Sequence, residues 1–132
     1  MIIDKQDVLS DSQAITVSAA SGNTIDTTFA GNQPSLFLVI RSVAAAAADG
    51  AATVEFALET DSDPNFGTPV TLFSTGPIAK TALTANTFVV PGAPLPLGSK
   101  RYLRLFYVVS TGPLTGGSFD AFISNIPADV RF

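Results

Sequence analysis

Cysteine, histidine and tryptophan are absent from this 132-residue chain, and charged residues make up only 14% of it. Without cysteine there is no disulfide, no thiolate metal site and no cysteine nucleophile. Without histidine, Ser-His-Asp and Cys-His catalysis are excluded. A Ser-Lys pair would have to use Lys5, Lys80 or Lys100, and no flanking motif supports one. Glu55 and Glu59 could pair as glycosidase carboxylates, but their spacing reads as the solvated face of one strand. These absences predict a chain that is not an enzyme. Seven basic residues stand against eleven acidic ones, a net charge of −4. Phosphate-backbone binding relies on Lys and Arg, so no nucleic-acid partner is expected. The longest apolar stretch, Leu36 to Ala48, is broken by Arg41 and Ser42. A bilayer span needs about twenty apolar residues, so no membrane partner is expected either. The opening MIIDKQDVLSDSQ carries Asp4, Lys5 and Asp7 and has no apolar run, unlike a secretory signal.

A charge content this far below the usual roughly 25% leaves much uncharged surface on a small domain. It favours a chain that works inside an assembly. The segment Tyr102 to Ser110, YLRLFYVVS, sharpens this. Side chains alternate across a strand, so Tyr102, Arg104, Phe106 and Val108 share one face. Leu103, Leu105, Tyr107 and Val109 share the other. An outer strand of a sandwich should keep one wet face. This one has almost none, and something must cover both sides. Leu36 to Val43 is a second strand of the same kind, with Leu36, Leu38 and Ile40 against Phe37, Val39 and Val43. Thr53 to Thr60 is an ordinary one-sided strand, with Val54, Phe56 and Leu58 inward.

The remaining pattern is short strands between turns. Residues 1–13 read as an N-terminal arm of one domain that spans 1–132. Strands are predicted over Ala14–Ala19 and Thr24–Phe29, with Ser21-Gly22-Asn23 as a turn. Five alanines follow Val43, and Asp49-Gly50 predicts a hairpin of the type that needs positive φ. Val70–Phe73, Ile78–Leu83 and Thr87–Val90 are further short strands. PGAPLPLG, residues 91–98, predicts an end to ladder pairing. Ser118–Ser124 is the last strand. About eight or nine strands with no long helix predict an all-β antiparallel sandwich of jelly-roll type.

Two clusters bear on chemistry. Asp61, Asp63 and Asn65 match the start of a calcium loop, but Phe66 stands where the sharp-turn glycine belongs and Leu72 where the bidentate glutamate belongs. Asx side chains bonding their own backbone are the better reading, and no metal site is expected. Lys100, Arg101 and Arg104 form a basic cluster that could complement the acidic stretch Asp49 to Asp63 across an interface.

Three stretches together resemble a family of capsid cement (decoration) proteins of tailed bacteriophages. They are MIIDKQDVLSDSQAITVSAASGNTIDT, ETDSDPNFGTP and YLRLFYVVSTGPLTGGSFDAFISN, in that order and spacing. The resemblance implies a jelly roll on the outer surface of the virion capsid, made in the host cytoplasm. It implies the major capsid protein, of HK97-like fold, as partner, and association with itself as a homo-oligomer, in the first place a dimer. It brings no cofactor and no catalytic residue. Contacts with the capsid or a sister subunit are expected at Ile2, Ile3, Tyr102, Arg104, Phe106 and Phe132, with the arm Met1–Leu9 and the tail near Phe132 as the elements cheapest to order on a partner. The alternative is a small carbohydrate-binding or tail- or fibre-associated β-sandwich.

Overall fold

The structure, a computed structural model, describes residues 8–26, 37–94 and 100–124. Ten strands form two antiparallel sheets, with no α-helix among the described residues. In chain order they are β1 (Val8–Ala14), β2 (Ala19–Ala20), β3 (Ile25–Asp26), β4 (Phe37–Ala47), β5 (Thr53–Asp61), β6 (Val70–Ser74), β7 (Ile78–Ala79), β8 (Thr87–Pro94), β9 (Tyr102–Ser110) and β10 (Gly116–Ser124). The first sheet has the order β1-β10-β4-β8. The second has the order β2-β9-β5-β6, with β3 also on β9 and β7 also on β5. Strands next to each other in sequence mostly sit in opposite sheets, which is the jelly-roll arrangement the sequence predicts.

The core lies between the sheets and follows from the alternation. Val54, Phe56 and Leu58 of β5, Leu103, Leu105 and Tyr107 of β9, and Phe119, Ala121 and Ile123 of β10 all point into it. Phe56 meets the rings of Tyr107 and Phe119 edge-on at 5.6 and 5.2 Å. Tyr107 stacks on Phe119 at 5.7 Å, so three rings from three strands join the two sheets. Edge and offset contacts of this kind add to plain apolar burial. The second doubly apolar strand behaves as its sequence demands. Leu38 and Ile40 of β4 enter the core, while Val39, on the opposite face beside Phe122, is also buried.

Four local expectations are corrected. Asp49-Gly50 closes no hairpin, because β4 and β5 lie in different sheets and the residue passes the chain between them. Gly50 is not among the glycines with positive φ. The alanines extend β4 to Ala47. Residues 8–13 are not part of an arm, because Val8–Ala14 is a strand and Leu9 is fully buried in the core. The predicted strand Ala14–Ala19 is instead the bend from β1 to β2. The proline segment does not end pairing, because β8 runs through Pro91 to Pro94 against β4. A sheet edge tolerates proline because the missing N–H would face outward.

Among the described residues, no edge is a plain ladder. β1 pairs β10 with two register shifts, and its Ser12 has φ of 47°. β8 carries the two prolines and two register shifts. β6 holds one extra residue opposite Leu58 and Glu59. Among the described residues, the β9 edge is bordered by the two-residue strands β2 and β3.

Candidate interaction surface

The outer face of the second sheet gathers the residues that the sequence singled out on β9. Antiparallel register places Arg104 opposite Glu59, Phe106 opposite Ala57, Val108 opposite Glu55 and Tyr102 opposite Asp61. On the other side of β9, Ala20 lies opposite Phe106 and Asp26 opposite Tyr102. Phe106 therefore stands between two alanines, and its ring is the main bulk at the middle of the face. Tyr102, Arg104, Phe106 and Val108 are all half-buried, so the face is neither dry nor fully in water.

Arg104 finds the acid that its position requires. Its Nε donates to Glu59 Oε1 at 2.8 Å. Its guanidinium also lies 4.4 Å from the centre of the Phe66 ring and 5.4 Å from that of Phe106. A cation over an aromatic face is attracted by the ring quadrupole. The acidic and basic clusters thus meet within one chain, at Arg104 and Glu59. Arg101 makes a two-pronged contact with Asp26, at 2.9 and 3.1 Å, and lies over the Tyr102 ring. Ser74 Oγ donates to Glu55 on the same face.

Phe66 reaches Arg104 because of the loop that follows β5. Asp61 accepts the backbone N–H groups of Asp63 and Thr68 at 3.1 and 2.9 Å. Asp63 accepts those of Asn65 and Gly67 at 2.9 and 3.3 Å. The carboxylates a calcium ion would need hold the loop's own amides instead, as the Asx reading expects. The Thr68 N–H, more than any other group, keeps the Asp61 carboxyl below its ordinary range, against the opposing effect of burial. No group of three or more acidic side chains among the described residues is placed to hold a metal. The loop turns back at Phe66, which has φ of 52° and is only 6% exposed. Phenylalanine in the left-handed region is costly, so the ring contact outweighs that cost.

Of the sequence-predicted contact residues, Tyr102, Arg104 and Phe106 lie together on this face. Ile2, Ile3 and Phe132 lie outside the described residues. One participant, Phe66, is not marked by the sequence pattern. Phe66 looked only like the wrong residue in a metal loop, and its left-handed turn has no mark in the sequence. On the other sheet, Phe88 of β8 lies opposite Arg41 and is 43% exposed. Arg41 itself is tied to Asp120 at 2.7 Å, so the outer face of the first sheet also neutralises its own charge.

A family model described as Bbp16 matches residues 9–123, from the first core residue of β1 to the last core residue of β10. No curated protein matches the chain.

Proposed function

The chain belongs to the Bbp16 family, a phage-related family, and from this we propose that it is a capsid cement protein. In this reading it binds the outside of a phage head, associates with itself as a dimer and bridges neighbouring copies of an HK97-like major capsid protein. The observation that carries the reading is the Tyr102, Arg104 and Phe106 face. It combines aromatic and arginine side chains, which are enriched at interfaces, with charges that are already paired. A surface of this kind can dock without stranding a charge. A fastener present in many copies needs only modest contact at each, because attachment at several points of a lattice multiplies the strength.

Light scattering of the purified protein, followed by mixing with undecorated heads, tests the proposal. A dimer that saturates heads at a copy number near that of the major capsid protein is expected. A monomer that ignores heads would overturn it, and selective binding on a glycan array would favour a carbohydrate-binding module. Phe106→Asp should lower occupancy on heads while the melting temperature stays near that of the parent. A second variant lacking residues 1–6 tests the arm. It stops short of Val8 because Leu9 is part of the core.

A further inference from the structure

Residues 8–26 run along one side of the sandwich and close it. β1 forms the edge of the first sheet, and β2 and β3 border β9 in the second. This segment is held differently from the four long strands at the centre of the sheets. The strands β4, β5, β9 and β10 are nine to eleven residues long. β2 and β3 have two residues each, and β1 is interrupted by its two register shifts. Beside backbone bonds such as Ser21 N–H to the Leu105 carbonyl at 2.7 Å, side chains supply further ties. The Ser12 N–H donates to the Asp120 carboxylate at 2.7 Å. On β9, the N–H of Leu105 donates to Ser21 Oγ at 3.1 Å and that of Val109 to Ser18 Oγ at 2.9 Å.

One chain of hydrogen bonds ties the segment across the sandwich. Tyr107 Oη, from inside the second sheet, donates to Ser10 Oγ at 2.8 Å. Ser10 Oγ donates to Gln13 Oε1 at 2.7 Å. Gln13 Nε2 then donates to the Ala20 carbonyl at 3.0 Å, and Gln13 Oε1 also accepts the Gly22 N–H at 2.8 Å. β1, the β2–β3 turn and the centre of β9 are thereby linked through five residues. Only Leu9, Ile15 and Ile25 of the segment belong to the apolar core.

We propose that residues 8–26 form a strap that opens as one unit while the remainder of the sandwich stays folded, and that Tyr107, Ser10 and Gln13 are its latch. Segments with few buried apolar contacts and irregular backbone pairing open locally before the whole domain does. Opening uncovers the side of the sandwich along β9 and β10. The N–H groups of Leu105 and Val109 then lose their serine partners, and β9 becomes an edge able to accept another strand. This device is independent of the cement reading, since it rests on bonds within one chain.

Hydrogen exchange read by mass spectrometry on the full chain tests it. In the parent protein, the amides of residues 8–26 should exchange together and faster than those of β4 and β5. Tyr107→Phe keeps the ring but removes the latch hydroxyl. It should speed exchange of the strap, and of Leu105 and Val109, roughly fivefold, the effect of losing one ordinary hydrogen bond. Exchange in β4 and β5 should not change. Gln13→Ala breaks the same latch from its other end and serves if the tyrosine variant does not fold. Equal acceleration in strap and core, or none in the strap, would overturn the proposal.

Discussion

Phe66 offers a test in which two truncations should rank against habit. Its ring is nearly buried, under the Arg104 guanidinium, and its backbone is left-handed. Phe66→Ala removes the ring but keeps a side chain in the left-handed region. The lost burial is worth about 2–3 kcal/mol, and the lost cation–ring contact about 0.5–1 kcal/mol. Phe66→Gly loses the same contacts. It also relieves a left-handed penalty of roughly 1–2 kcal/mol, offset by about 0.4–1 kcal/mol of extra freedom in the unfolded chain. Glycine should therefore be the milder substitution by about 0.5–1 kcal/mol, the reverse of its rank in a regular strand or helix. Urea unfolding measures this directly. With a slope of about 1.5 kcal/mol/M, the alanine variant should lose roughly 2 M in midpoint and the glycine variant noticeably less. A glycine variant weaker than the alanine one would refute the left-handed turn. If both stayed within about 0.5 kcal/mol of the parent, the ring would not be buried under Arg104.

Three other outcomes follow from the same surfaces. In a double-mutant cycle, Arg104→Ala and Glu59→Ala should show a coupling of about 1 kcal/mol, the upper end for exposed pairs, because both side chains are largely covered, and added salt should reduce it. Asp61 has its carboxyl pKa lowered by folding, so its stabilising effect is present above the ordinary carboxylate value and is lost as pH falls through the lowered one. Melting temperature should fall in acid, and Asp61→Asn should flatten that dependence. Tyr107 has its phenol pKa raised, chiefly by burial. Its contribution is complete below the ordinary value of about 10 and is lost as pH rises beyond it, so ultraviolet titration should show one tyrosine ionising only as the protein unfolds.

The sandwich was legible because its signal is periodic. Val54, Phe56 and Leu58 alternate without a break, and so do Leu103, Leu105 and Tyr107, so their inward faces can be read directly. The need for cover on both sides of β4 was legible for the same reason, at Leu38 and Ile40 on one face and Val39 on the other. Chain reversal at Asp49-Gly50 was not. That pair has the composition of a tight turn, but composition does not say whether the next strand returns to the same sheet or crosses to the other. Pro91 and Pro94 were misread because an edge position, which makes proline harmless, is a property of the topology. On the candidate surface, Arg104 needed an acid, and the sequence offered several. The choice of Glu59 came from β5–β9 register, which no local pattern encodes.

The irregular borders of both sheets have a consequence for crowding. A long, straight outer strand is an invitation to polymerise, and the danger grows with the square of local concentration where two copies must meet. Here the left-handed serine, the two prolines and the inserted residue in β6 each spoil the template. Copies can then be brought almost shoulder to shoulder without templating one another into fibres. The border of β9 could become straight, and Ser18 and Ser21 stand guard over its amides. Concentrated stocks should stay clear for as long as those two hydroxyls remain in place, and replacing both with alanine should shorten that time.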